Sequence, residues 1–300
     1  ATRLTTAQLA SLVDSAGNPS AVELAAVRPS ASVDDAWTWR VHDAAGRLVQ
    51  TIGGDGASTV YHYDGASHLV AQTAYAQRLT SAQLTTFKST PPTTTTLPAA
   101  SGDDRHTRYF HDDAGRLIGT LDAEGYFSRI VYDAGGQVVR TDAFAEKVVN
   151  ATLLTTGSFA ALLAEVQSPA NPANITTWNL YDGRGLLRGA VNGEGEVVLY
   201  DYDALGQLAQ VTAGRKLAAA PTSQPTLAQL TAAPAAPVLE VTHYTRNHYG
   251  QVLTEARSLA TGTETVTYSY DALNRLVGRA VDRVSGPDYA ERNRYDMKGR

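Results

Sequence analysis

The chain has 300 residues with 30 acidic and 25 basic side chains, a formal charge of −5, which argues against nucleic acid or an anionic membrane surface as its main partner. It has no cysteine, which excludes disulfides, thiolate nucleophiles and cysteine metal ligands. No apolar run reaches the ~20 residues of a membrane-spanning helix, and residues 1–30 lack a signal-peptide pattern.

In chain order, the sequence opens at Ala1-Thr2-Arg3 without Met and ends at Gly299-Arg300 inside a repeated phrase, so it reads as a segment of a longer polypeptide. The first element is a helix start, Leu4-Thr5-Thr6-Ala7-Gln8-Leu9. Thr5 is the expected N-cap, Gln8 closes a capping box, and the two leucines bracket the box as a hydrophobic staple.

The repeated phrase follows: a Tyr or other polar residue, usually Asp, two spacers, usually Gly, a polar residue and an aliphatic one. Its copies include Asp43-Ala44-Ala45-Gly46-Arg47-Leu48, Asp112-Asp113-Ala114-Gly115-Arg116-Leu117 and Tyr132-Asp133-Ala134-Gly135-Gly136-Gln137-Val138. Tyr181-Asp182-Gly183-Arg184-Gly185, Tyr202-Asp203-Ala204-Leu205-Gly206, Tyr270-Asp271-Ala272-Leu273-Asn274 and Tyr295-Asp296-Met297-Lys298-Gly299 continue the series. With Ser67 and Gly250 marking the other two copies, successive markers fall 21, 48, 21, 49, 21, 44, 24 and 25 residues apart. Short and long spacings alternate through the first seven phrases, a larger period of roughly 70 residues. Units this short cannot bury a core alone and must stack on their neighbours.

Each phrase predicts a β-hairpin. Alternating runs such as Val198-Leu199-Tyr200-Asp201-Tyr202 precede it, and runs such as Gln137-Val138-Val139-Arg140-Thr141 follow it. Asp at the first turn position accepts from backbone amides two residues on, and Gly three later supplies a positive φ; together these make a type I turn closed by a left-handed residue. Asn274 suits that slot. Ser67 suits it poorly, so the second hairpin is expected to be the most distorted. The tyrosines are expected to pack on cross-strand neighbours.

The short spacers carry a second reversal, Gly53-Gly54-Asp55-Gly56, Asp122-Ala123-Glu124-Gly125 and Asn192-Gly193-Glu194-Gly195, which makes the array a continuous antiparallel meander. In the long spacers that link gives way to inserts, at approximately 1–36, 76–104, 146–175 and 215–238. Thr80 with Gln83 and Thr226 with Gln229 repeat the capping box, and Leu154-Thr155 with Phe159 repeats the staple. The helices are too short to persist unless docked on the sheet. The stretches Pro91-Pro92-Thr93-Thr94-Thr95-Thr96, Ser168-Pro169-Ala170-Asn171-Pro172 and Ala233-Pro234-Ala235-Ala236-Pro237 read as extended surface connectors.

The phrase and its spacing of about 21 resemble the YD repeat of the RHS family, from about residue 37 to 300 apart from the inserts. That family includes polymorphic-toxin shells, components of insecticidal toxin complexes, giant bacterial surface proteins and teneurins. The resemblance implies a mainly β fold in which antiparallel hairpins form a continuous spiralling sheet, as shell or tube, over residues 1–300 as one array. His42 and His111 stand in the Tyr slot, and Arg246-Asn247 replaces Tyr-Asp in the seventh copy. The regularly placed helices depart from compact shells.

Asp43, Gly46, Asp112, Gly115, Asp133, Gly136, Asp182, Gly185, Asp203, Gly206, Asp271, Asn274, Asp296 and Gly299 are therefore expected to be structural turn residues. No catalytic, cofactor or metal site is expected: the sequence has no His-Glu-x-x-His, Gly-x-Ser-x-Gly or P-loop. Its histidines at 42, 62, 68, 106, 111, 243 and 248 read as packed or solvated strand residues, and no loop offers the dense oxygen set that calcium needs. The expected function is a non-enzymatic scaffold of a secreted or cell-surface bacterial protein. Its partners would be further repeats of the same polypeptide and an enclosed effector domain. The alternative is an extracellular fibre or adhesin that self-associates or binds glycans or neighbouring cells, suggested by the helices, the Thr/Pro-rich loops and 15 Tyr against 5 Phe.

Overall fold

The computed structural model of the chain describes Leu12, residues 36–167 and residues 171–295. The expected cap Thr5–Gln8, the turn residues Asp296 and Gly299, and nearly all of the insert at 1–36 lie outside the described residues. The described residues hold seventeen strands and four short helices, and they fall into two compact units, Ala1–Arg108 and Tyr109–Arg300.

In the first unit, β1 (Thr38–His42), β2 (Leu48–Gly53), β3 (Ser58–Tyr63) and β4 (Leu69–Ala74) form an antiparallel meander. The first residues of β5 (Arg105–His111) pair with β4. The second unit continues with β6 (Leu117–Leu121), β7 (Tyr126–Tyr132), β8 (Val138–Lys147), β9 (Ile175–Tyr181), β10 (Leu187–Val191) and β11 (Glu196–Tyr202). Next come β12 (Leu208–Lys216), β13 (Ala235–Arg246), β14 (Val252–Leu259), β15 (Gly262–Tyr270), β16 (Leu276–Asp282) and β17 (Tyr289–Arg292). From β6 onward each strand pairs antiparallel with the next. Among the described residues β1 pairs only with β2, and β17 only with β16, so the sheet is open.

Strand alternation assigns one face to the core. In the first unit the pairings put Trp39, Val41, Gln50, Ile52, Ser58 and Val60 on that face, and all six are buried. Helix α1 (Ser81–Ser89) covers it, with Leu79, Leu84 and Phe87 against Trp39 and Ile52. Its capping box forms as expected: Thr80 accepts from the Gln83 amide, and Gln83 Oε1 accepts from the Thr80 amide.

In the second unit α2 (Ala151–Thr156) and α3 (Phe159–Gln167) close a cluster around Leu121, Phe127, Phe144 and Leu162. Helix α4 (Leu227–Ala232) buries Leu230 against Trp178, Leu180, Val191, Val197 and Leu199, again behind the expected Thr226–Gln229 box. Two strand glycines admit these helices. A Cβ on Gly119 would lie 2.7 Å from the Phe159 ring, and one on Gly189 2.8 Å from Leu230 Cδ1. Any larger residue would hold the helix off the sheet.

The second reversals are turns of the same kind as the first, and each also anchors an insert. The carbonyls of Gly56, Gly125 and Gly195 accept from the amides of Leu79, Val148 and Leu217 at 2.8–2.9 Å.

Three expectations need correction. Thr155 is no N-cap: it lies inside α2, which Asn150 caps, and the helix that carries Phe159 begins behind Ser158 instead. A Thr five residues into a helical run can return its hydroxyl to a carbonyl of the preceding turn, as Thr155 does to Ala151. The connector expected over residues 233–237 is shorter, because Ala235 already belongs to β13 and pairs with Arg215. The second hairpin is not distorted: Ser67 takes φ 71°, and its turn closes like the others.

Candidate functional site

Among the described residues the repeated phrase carries a recurrent set of ionisable and hydrogen-bonding side chains, so it is the natural place to look for a site. In every described copy the first turn residue donates its amide to the carbonyl four residues on, as Asp43 to Arg47, Asp133 to Gln137 and Asn247 to Gln251. The marker residue donates to the first turn residue's carbonyl at 2.9–3.1 Å. Gly46, Gly115, Gly136, Gly185, Gly206 and Gly250 hold φ of 77–81°, and Asn274 holds 63°. This is a type I turn with a left-handed closing residue.

The Asp side chain completes the loop. Oδ1 of Asp43, Asp112, Asp182, Asp203 and Asp271 each accepts from two backbone amides, two and four residues on, and Asp133 accepts from Gln137 N. Where Arg follows the marker residue, Oδ2 is taken as well: Arg47, Arg116 and Arg275 reach Asp43, Asp112 and Asp271 at 2.7–2.8 Å. In those three copies both carboxylate oxygens are thus engaged within the phrase itself. The described phrase residues occupy the turn positions, with Asp or Asn at the first and Gly, Asn or Ser at the left-handed one, and Asp296 and Gly299 lie outside the described residues.

Two further links join one phrase to the next, and neither is visible in the sequence. The Tyr of a phrase does more than pack: Tyr63, Tyr132, Tyr270 and Tyr295 donate their hydroxyls at 2.9 Å to the carbonyls of Leu48, Leu117, Val252 and Leu276. Each acceptor is the closing aliphatic residue of the preceding phrase. In the seventh copy Arg246 replaces Tyr, and its guanidinium makes the same bond to Leu208. The residue after the marker works in the opposite direction. Arg47 donates to Asp64 O and Ser67 Oγ, Gln137 to Gly185 O, and Gln251 to Asn274 O. Arg47, Arg116 and Arg275 also lie 4.5–5.0 Å from the Tyr63, Tyr132 and Tyr295 rings, within cation–π range.

The carboxyls of Asp43, Asp64, Asp182 and Asp271 are held below the ordinary aspartate value, first by the backbone amide four residues on. At Asp112 the Arg116 side chain is the leading cause. A depressed folded value means the stabilisation is complete above the unfolded aspartate value, about 3.9, and is lost as pH falls through the folded one. Asp112→Asn keeps the Oδ1 acceptor but removes the proton equilibrium and the Arg116 pair. The variant should therefore melt below the parent at neutral pH, with a gap that closes as pH falls below about 4. A gap that stayed constant in Tm across that range would contradict this assignment.

Among the described residues no three His, Asp or Glu side chains group so as to hold a metal, and no helix is long and apolar enough to cross a membrane.

A family model described as "RHS Repeat" matches residues 42–80 and 181–216. Each matched segment spans one short-spaced pair of phrases and the start of the insert after it. No curated protein matches the sequence. Among solved structures, the crystal structure of TcdB2–TccC3–Cdc42 aligns over 85% of this chain at 14% identity with a TM-score of 0.42. That of TcdB2–TccC3–TEV aligns over 89% at 15% and 0.43. The Photorhabdus luminescens Tc holotoxin pore with a mutated TccC3 aligns over 87% at 13% and 0.37. The chain spans only 12–16% of the length of those chains. The matched segments are similar to RHS repeats, and the other described phrases share their turn geometry.

Proposed function

We propose that this chain is a non-enzymatic wall segment of a secreted bacterial RHS-repeat protein, and that the wall encloses or carries another domain of the same polypeptide. The observation that supports this reading is the way the phrase spends its polar groups. Asp closes its own turn, Tyr reaches back to the preceding phrase, and Arg or Gln reaches forward to the next. A site built for catalysis leaves a nucleophile, acid or base directed at a substrate position; here the recurrent groups are directed at one another. Their product is a sheet that extends without changing its turn geometry, even across inserts, since the Gln137–Gly185 bond joins residues 48 apart.

Limited proteolysis of the full-length polypeptide tests this reading. A domain carried with the array should survive a protease dose that digests the same domain expressed alone. Equal digestion rates would reject enclosure, and a full-length chain with no domain beyond its repeats would reject the carrier role altogether.

A further inference from the structure

The first unit differs from the two later inserts in how its core face is covered. Beside α1, the face is crossed by the strap Thr93–Leu97, held by one residue. Gln50 is fully buried; its Nε2 donates to Thr96 O at 2.6 Å and to Ser58 Oγ at 2.8 Å, while its Oε1 accepts from Thr96 N at 2.8 Å. The side-chain amide thus pairs with the strap as a backbone amide would. A buried glutamine costs stability unless its amide is satisfied, and three hydrogen bonds to the strap and the floor hold both in place.

Under Phe159 and Leu230 the later inserts fill the corresponding face with large apolar side chains. The strap offers Thr93, Thr94 and Thr95 instead, and these leave a cavity of about 530 Å³, inside the range of about 300–1,000 Å³ common for small-ligand sites. Its floor is Val41 and Val60, both buried. His62, Tyr75 and Leu97 also line it.

We infer that this cavity binds a neutral saccharide. The floor is apolar and suits the C–H face of a sugar ring. The lining includes side chains that both donate and accept, namely three threonines, two tyrosines and two histidines, and this matches a ligand made of hydroxyls. The charge balance favours a neutral ligand: the one lining carboxylate, Asp43, is occupied by Arg47 and two turn amides, and no lysine or arginine lines the cavity, whose remaining titratable groups are tyrosines and histidines. The site stands apart from the scaffold role and does not depend on it.

The test is a titration of the chain with neutral trisaccharides of glucose, galactose, mannose and N-acetylglucosamine, and with a sialylated trisaccharide, read on the His62 and Tyr75 ring signals by NMR. At least one neutral probe should shift both signals saturably. His62→Ala should weaken that binding at least about tenfold, equivalent to about 1.4 kcal/mol, and Thr94→Trp should abolish it by filling the space. Both positions are exposed, so unchanged thermal unfolding certifies the fold, and either variant alone is sufficient. The inference is overturned if no neutral probe moves the two signals, if both folded variants bind as the parent does, or if the sialylated probe binds more tightly than every neutral one.

Discussion

Asp142→Ala is expected to destabilise the second unit by about 3–5 kcal/mol, the cost of leaving buried charge uncompensated. Asp142 is buried, its side chain 1% exposed, at the junction of three strands. Its Oδ2 accepts from Arg129 Nε at 2.7 Å on β7 and also lies 2.7 Å from Nη2, so both nitrogens converge on one oxygen. Its Oδ1 accepts from Arg140 Nε on its own strand and from the Thr176 hydroxyl on β9, both at 2.8 Å. The Arg140 guanidinium lies 4.7 Å from the Trp178 ring. Removing the carboxylate strands two guanidinium groups and one hydroxyl. Asp142→Asn keeps the shape and one acceptor and should lose less, and Asp142→Leu combined with Arg129→Met should recover part of the loss, because it removes the carboxylate together with Arg129 and leaves only the part-exposed Arg140 without its partner. Denaturant unfolding followed by Trp178 fluorescence reads the difference, with Trp37 and Trp39, both in the first unit, as the internal reference. A loss under about 1 kcal/mol for Asp142→Ala would show that water reaches the cluster and screens it as it does surface pairs.

The contrast between this cluster and the turns shows what the sequence could reveal. The turn chemistry is local: Asp, Gly and the amides between them lie within five residues, so Asp133 and Gly136 were legible at once, as were the capping boxes at Thr80 and Thr226. Asn274 was legible for the same reason. At Ser67 the local preference against a left-handed serine loses to tertiary context: the neighbouring strands and the Arg47 bond to Ser67 Oγ hold it there. The links between phrases were invisible because their partners are distant: Gln137 meets Gly185 across an insert, and Gln50 meets Thr96 across 46 residues. Gly119 and Gly189 look like faults in strand patterns until the helix side chains above them are known. Asp142 looks like any polar residue in an alternating strand, and only the strand order brings Arg129 and Thr176 to it.

Phe127→Ala is expected to cost about 3–5 kcal/mol, the range for emptying a large aromatic site in a packed core, and to release the third insert from the sheet. Phe127 is fully buried. Its ring lies 5.9 Å from Phe110 and 5.5 Å from Phe159, both edge-on, and stacks on Phe144 at 6.1 Å. Phe110, Phe127 and Phe144 come from strands, whereas Phe159 opens α3, so Phe127 is where the sheet grips the insert. Helices of six and nine residues have no independent stability in water, where roughly 12–15 residues are marginal. Loss of that grip should therefore appear twice: as global destabilisation, and as early hydrogen exchange and protease cleavage over residues 150–167 under conditions where β7 and β8 stay protected. Phe127→Leu, which keeps most of the volume, should show much less of either effect. If Phe127→Ala lowered global stability while exchange in α2 and α3 stayed tied to that of the strands, the insert would be an integral part of the sheet's cooperative unit and not an element docked on it.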